Sequence, residues 1–164
     1  MNNLHIKEKL SGNKGFTLVE LVVVIAILAV LAAIAIPAVI TIVNNASDTS
    51  LETEAASIDL CCKTYYEEIK LGMITANTYT PKNTSDRLPA KSDSINARTR
   101  AARKCTVAGA LDYNGMYADF AGKLDEFAYD SGGNIIAVTG DLPTGYTKIK
   151  ADGSTTFAEL NYAN

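Results

Sequence analysis

The sequence predicts an α+β protein in which a long N-terminal helix packs, through its second half, on a small antiparallel β-sheet. Two observations predict the helix: residues 21–43 carry no charge, and from Leu51 onward apolar residues recur at spacings of three and four. A third observation predicts the sheet: residues 135–160 contain short runs rich in β-branched and aromatic residues, separated by turn signals.

Residues 1–15 are polar, and we expect them to form a leader that is not part of the mature fold. The leader holds Lys7, Lys9 and Lys14 against one acid, Glu8. Basic residues beside an apolar segment favour the cytoplasmic side of a membrane. We therefore expect a cytoplasmic N-terminus, with the C-terminal part of the chain on the far side.

Residues 16–43 are predicted to be the first half of the helix and to span a membrane. The 23 uncharged residues from Leu21 to Val43 would extend about 35 Å, enough to cross a hydrocarbon layer of about 30 Å. Glu20 stands at the start of this run, and Pro37 should bend the helix because it removes one backbone hydrogen bond. An ordinary secretory signal has a shorter apolar region, of about 7–15 residues.

Residues 44–164 are predicted to form a globular head, which begins with an amphipathic helix over 44–72. One stripe along this helix should face a core, and Gly72 should end it. The stripe consists of Leu51, Ala55, Ile58, Cys62, Tyr65 and Ile69. Cys61 lies about 80° from the centre of the stripe, at about 100° per residue.

Residues 73–133 are predicted to be a long connection with a helical turn near Ser92–Asp93 and one short helix. Four basic residues between Arg98 and Lys104 could meet an anionic partner, but without interleaved aromatic residues a solvated loop is favoured. The short helix is suggested by apolar residues at helical spacing and would end at residues 131–133. These apolar residues are Tyr117, Phe120, Leu124 and Phe127.

Residues 134–164 are predicted to be an antiparallel meander with strands at 135–139, 146–150 and 155–160. Asp152-Gly153 is a strong hairpin signal between the last two strands. Such a meander would cover the apolar stripe of the helix.

The composition points away from catalysis, metals and nucleic acid. The only histidine lies in the leader and no Cys-x-x-Cys pair is present, so we expect no metal, no cofactor and no enzymatic activity. The net charge of −3 gives no general attraction to nucleic acid. The three cysteines leave two alternatives open: three buried thiols, or one disulfide, for which Cys62 and Cys105 are the expected pair.

The segment Lys14–Glu20, read K-G-F-T-L-V-E, together with an apolar helix that contains a proline, resembles the type IV pilin superfamily. The resemblance implies that a prepilin peptidase cuts after Gly15 and that the new N-terminal residue, Phe16, is then methylated. It places Pro37 where the family commonly has its helix-bending proline. It also makes Glu20 a residue of filament assembly, because the ammonium created by cleavage can pair with an acid in the apolar core.

The function implied is that of a structural subunit of a type IV pilus-like surface filament that supports adhesion or motility. The expected partners are identical or related pilin subunits, the prepilin peptidase/methylase and the assembly machinery in the membrane. The precursor would cross the cytoplasmic membrane once before it joins an extracellular pilus. Two alternatives stay open: a pseudopilin of a type II secretion or DNA-uptake machine, and a membrane-anchored extracellular binding domain that forms no filament.

Overall fold

A computed structural model describes residues 15–82 and 86–162. The chain divides into two compact units, Met1–Asn44 and Asn45–Asn164. The leader expected over residues 1–15 lies outside the described residues except for Gly15. In chain order the elements are α1 (Leu18–Leu71), α2 (Ile95–Ala102), α3 (Val107–Tyr113), α4 (Tyr117–Phe120), a 3₁₀ turn (Leu124–Glu126), β1 (Phe127–Tyr129), β2 (Ile135–Ala137) and β3 (Thr147–Lys148).

The described part of the first unit is helical from Leu18 onward, two residues later than the start expected at Phe16. Its side chains are exposed throughout, as a segment suited to lipid or to other helices requires. The helix continues through Pro37, and the Thr41 hydroxyl donates a hydrogen bond of 3.1 Å to the Pro37 carbonyl. The bend expected at Pro37 stays a prediction.

In the second unit, five of the six predicted stripe residues of α1 are buried and Leu51 is half-buried, and the buried face is wider than predicted. Cys61, expected on the flank, is only 8% exposed, because the Met116 side chain lies against it. Gly72 ends the helix as predicted, with φ of +78°. The buried residues of α1 are Ala55, Ile58, Cys61, Cys62, Tyr65, Tyr66 and Ile69.

The sheet has three antiparallel strands in the order β2-β1-β3, which confirms the α+β class. Its central strand, β1, lies where a second amphipathic helix was predicted, and that prediction is wrong. The helical segment α4 ends at Phe120. Gly122 then has φ of +83°, and a right-handed helix cannot continue through a residue in that conformation. Phe120, Leu124 and Phe127 are nonetheless buried. They reach the core from the end of α4, from the 3₁₀ turn and from β1, respectively, instead of from one helix.

The prediction of a strand over residues 155–160 is also wrong. This segment forms one isolated antiparallel bridge, Thr106 to Thr156, and then turns. The Asp152-Gly153 turn, which follows β3, lies against the start of α3, where the Gly153 carbonyl accepts a hydrogen bond of 3.1 Å from the Ala108 N–H. The first N–H groups of a helix have no partner inside it, so this tail satisfies donors that α3 leaves open.

The helical turn expected near Ser92–Asp93 corresponds to α2, which begins after Ser94. The Ser94 hydroxyl caps α2 by accepting a hydrogen bond from the Ala97 N–H. Helix α3 was not predicted.

Candidate functional site

The motif residues Gly15 and Phe16 lie just before α1, outside regular structure and exposed to solvent. Phe16 is 89% exposed, and no described atom outside Gly15 and its chain neighbours lies within 4 Å of the position that a Cβ on Gly15 would occupy. The described residues therefore leave the peptide bond between Gly15 and Phe16 open to a second protein.

Glu20, the acid at the start of the apolar run, is held by Thr17 in a capping box. One carboxylate oxygen, Glu20 Oε2, accepts hydrogen bonds from the Thr17 N–H at 2.9 Å and from the Thr17 hydroxyl at 2.8 Å. The Thr17 hydroxyl in turn accepts a hydrogen bond from the Glu20 N–H at 3.2 Å. The two residues close the first turn of α1 and place a negative charge at its positive end.

The sequence analysis did not single out Thr17, although a signal for it was present. A threonine three residues before a glutamate, directly ahead of an apolar run, is the capping-box pattern. The structure adds that both Thr17 bonds go to Oε2, and a carboxylate has about four lone-pair sites. The carboxylate thus keeps capacity to accept a further donor while it still caps its own helix.

The apolar part of α1 is long and apolar enough to cross a membrane, and its most apolar 18-residue window is fully exposed among the described residues. Its large side chains are exposed by about half or more, from Val22 at 49% to Leu18 at 78%. Such a surface needs a partner other than water, since burying one Val, Leu or Ile side chain is worth about 1.5–3 kcal/mol.

In the second unit, part of the basic run on α2 has a structural role. A Cβ on Gly72 would overlap the Arg98 guanidinium, so this cation lies over the C-terminal end of α1. The carbonyl groups at a helix C-terminus favour a positive charge. The Arg98 Nε is buried and has no hydrogen-bond partner in the described chain. Arg98 therefore belongs to the packing of the head.

Two carboxylates of the head form hydrogen bonds between α3, or the residue just before it, and the segment that precedes α2. Asp112 accepts hydrogen bonds from the Tyr79 hydroxyl at 2.7 Å and from the Lys82 N–H at 3.3 Å. Burial opposes ionisation of Asp112, but these bonds and the Lys82 charge prevail and lower its pKa. Asp86 is buried and accepts from both the N–H and the hydroxyl of Thr106 at 3.0 Å, yet burial prevails there and raises its pKa to about 6.

All three cysteines are buried free thiols in the structure. Cys62 and Cys105 are completely inaccessible and Cys61 is 8% exposed. Burial raises the pKa of each thiol and so favours its protonated form. The Cys62–Cys105 disulfide stays a prediction.

Among the described residues, no group of three or more His, Cys, Asp or Glu side chains is placed to hold a metal ion. A recess of about 530 Å³ in the head is lined by both signs of charge and by one aromatic ring. Its lining residues are Lys82, Ala108, Asp112, Gly115, Tyr117, Ala118 and Asp152. Among these described lining residues, Asp112 is the more buried acid, and one of its oxygens lies 3.4 Å from Lys82 Nζ.

Comparison with known proteins identifies the N-terminal segment. Residues 10–36 match the family described as Prokaryotic N-terminal methylation motif, and Gly15, Phe16, Thr17 and Glu20 all lie inside the match. No curated protein and no solved structure matches the chain. Proteins with this motif are structural rather than enzymatic. The chain therefore carries the prepilin-type N-terminal motif, the hallmark of type IV pilin-like proteins, at the start of a long apolar helix that fits it.

Proposed function

We propose that this protein is the structural subunit of a type IV pilus-like surface filament, formed after cleavage between Gly15 and Phe16 and methylation of Phe16. The observation that carries the proposal is the prepilin motif at the start of a helix whose apolar side chains are exposed among the described residues. A surface of this kind is stable in lipid, and it is equally stable among copies of itself.

The apolar half of α1 has to serve in two environments. As a precursor, the protein is held in the cytoplasmic membrane with its N-terminus inside and its head outside. In the filament, lipid contacts are replaced by contacts with identical helices. Because lipid tails are as apolar as the helices, this exchange gains little from the hydrophobic effect and must be driven by packing and by polar pairs.

Glu20 and the N-terminal ammonium of a neighbouring subunit form such a polar pair. Cleavage after Gly15 creates an ammonium group at Phe16, and in the filament this group meets the Glu20 carboxylate of a neighbouring subunit. The capping box holds the carboxylate in place in the monomer, so less side-chain entropy is lost on pairing. An unpaired charge in a low-dielectric core costs several kcal/mol, so pairing sets the axial position of each incoming subunit.

The remaining partners follow from this role: related pilin subunits, the prepilin peptidase/methylase and the assembly machinery in the membrane. The head faces outward in the filament and supports adhesion or motility.

The processing step is tested with two glycine variants of the precursor. Gly15→Val should leave protein of precursor mass in the membrane fraction and no filaments in electron micrographs of the cells. The matched control, Gly12→Val, changes a glycine inside the leader and should be processed normally. Processing of Gly15→Val at the wild-type rate would contradict the proposed cleavage site.

A deletion strain separates a pilus subunit from a pseudopilin. Loss of adhesion or motility with normal secretion and DNA uptake supports the pilus. The reverse pattern supports the pseudopilin.

A further inference from the structure

The charged residues of the head are separated into two groups. Residues 87–104 hold six basic residues and one acid, Asp93, and we call this range the basic region. Residues 48–59 hold four acids and no base, and residues 119–126 hold three acids and one base, Lys123. We call these two ranges together the acidic region. The head therefore carries a positive and a negative surface of its own.

The two regions lie at different levels along α1. The Arg98 guanidinium lies against Gly72, so α2 lies at the C-terminal end of α1. Lys123 Nζ lies 2.8 Å from Glu54 Oε2, so the two parts of the acidic region lie side by side. At about 1.5 Å per residue, Glu54 and Gly72 are about 27 Å apart along the helix. The basic and acidic regions are thus too far apart to pair with each other within one head.

The exposed charges of each region have no partner of opposite sign among the described residues. Like charges that are gathered in one place repel each other, so each region is stabilised by a partner of opposite charge. The exposed residues that form no ion pair with a described residue are Arg87, Lys91, Arg100 and Lys104 in the basic region and Asp48, Glu52, Asp119, Asp125 and Glu126 in the acidic region.

Exposed apolar side chains accompany the charges of the basic region. Leu71, Met73 and Ile95 are each more than half exposed. Ile95 lies one turn before Arg98 on α2, and Arg98 contacts the end of α1 between the other two, so the three lie close together. Aliphatic side chains cannot stack on nucleic-acid bases, so they favour a protein partner over a polyanion. Beside the acidic region, Tyr117 is exposed, and tyrosine is enriched at protein–protein interfaces.

We propose that the basic region of one head binds the acidic region of the head of a second copy of this chain. A second copy fits both regions, because it carries the complementary charge for each. The inference rests on the proposed function, since a filament brings the heads of neighbouring copies together. The contact joins two different surfaces, so each bound copy keeps one region free for the next copy and the contact extends into an open chain of heads.

The test compares charge-reversal variants in cells without wild-type subunits, with filament yield measured in electron micrographs. Arg100→Glu/Lys104→Glu should lower the yield about tenfold or more, because like charges would then face each other across the contact. Asp125→Lys/Glu126→Lys should lower the yield to a similar degree. All four substitutions together should restore the yield to within about twofold of the wild type, since the charges are complementary again.

The matched control is Lys148→Glu/Lys150→Glu, which makes the same change of charge in and beside β3, outside both regions. It should assemble like the wild type. In every variant the mass of the mature protein should show normal cleavage after Gly15. Absence of filaments in the wild type would contradict the proposed function itself, whereas unaffected yields of the charge-reversal variants beside normal wild-type filaments would overturn only the contact between heads.

A second readout uses wild-type filaments, so it does not depend on how the variants fold. A carbodiimide joins a lysine amine directly to a carboxylate that it contacts. Because the two regions of one head are about 27 Å apart along α1, such an amide between them joins two copies. Mass spectrometry of the cross-linked oligomers should find Lys91 or Lys104 joined to a carboxylate of the acidic region.

Three results would overturn the proposal: no recovery in the combined variant, loss of assembly in the control, or cross-linked oligomers without an amide between the two regions. A fourth result would assign the basic region to a polyanion instead. In that case Arg100→Glu/Lys104→Glu would assemble at the wild-type yield, and its filaments would lose binding to a labelled DNA duplex that wild-type filaments bind.

Discussion

Asp86 is a buried carboxylate whose ionisation should weaken the head. It is 6% exposed; Oδ1 accepts both bonds from Thr106, and Oδ2 has no hydrogen-bond partner in the described chain. A Cβ on Gly109 would overlap Oδ2, so this oxygen is pressed against α3. We predict that Asp86→Asn stabilises the protein at neutral pH, because the amide keeps the acceptor for Thr106 without the charge.

The magnitude follows from the pKa of Asp86, which burial raises from 3.8 to about 6 in the folded protein. Between these two values the folded state binds more protons than the unfolded state, so the free energy of unfolding decreases as the pH rises through this window. A difference of about two pKa units corresponds to about 3 kcal/mol, which is fully expressed above about pH 6. The wild type and Asp86→Asn should be similar in stability near pH 4, and the variant should be more stable by about 2–3 kcal/mol near pH 7.5.

The assay is urea unfolding of the full chain in detergent micelles from pH 4 to pH 7.5, followed by tyrosine circular dichroism. Asp112→Asn is a control of opposite sign, since hydrogen bonds and Lys82 lower the pKa of Asp112 against the effect of burial. That variant should be less stable than the wild type across the whole range from pH 4 to pH 7.5, because the folded-state pKa of Asp112 lies below its ordinary value of 3.8 and its contribution is lost only as the pH falls through that lower value. Parallel pH profiles for the wild type and Asp86→Asn would refute the reasoning.

The remaining predictions concern assembly, thiols and packing. Glu20→Val should leave synthesis, membrane insertion and cleavage intact but sharply reduce filament yield in cells without wild-type subunits; normal yield in electron micrographs would show that the acid is not an assembly determinant. Peptide mapping without reduction should find a Cys62–Cys105 link, which would be worth about 4 kcal/mol minus any strain; a Cys61–Cys105 link, or no link, would count against the expected pair. Gly153→Val should lower the free energy of unfolding by about 2 kcal/mol or more, because φ is +70° and the new Cβ would lie 2.7 Å from Ala108 Cβ; an unchanged urea midpoint would contradict that packing.

The features that could be predicted from the sequence are those that depend on near neighbours. The long helix and its buried stripe follow from a spacing that repeats over many turns, and Gly72 marks its end within one residue. Glu20 was singled out because an acid beside an apolar run is costly wherever the chain folds.

The features that were missed depend on contacts between distant residues. Helix α3 contains Gly109, which disfavours a helix by about 1 kcal/mol, and the reason for that glycine is the Asp86 carboxylate, 23 residues earlier, that lies against it. Similarly, Cys61 is covered by Met116 from another part of the chain, which the helical angle of Cys61 cannot reveal. The helical spacing of Phe120, Leu124 and Phe127 predicts a helix where β1 lies, but the backbone leaves the helical conformation from Ala121 to Lys123.

The measurement that tests the central claim most directly is the mass and N-terminal sequence of this protein in filaments sheared from the cell surface. The proposed function predicts a chain that begins at Phe16, carries one methyl group on its N-terminal amine and has lost residues 1–15. Filaments that lack this protein, or a mature protein that begins at another residue, would contradict the claim that the chain is a processed pilus subunit.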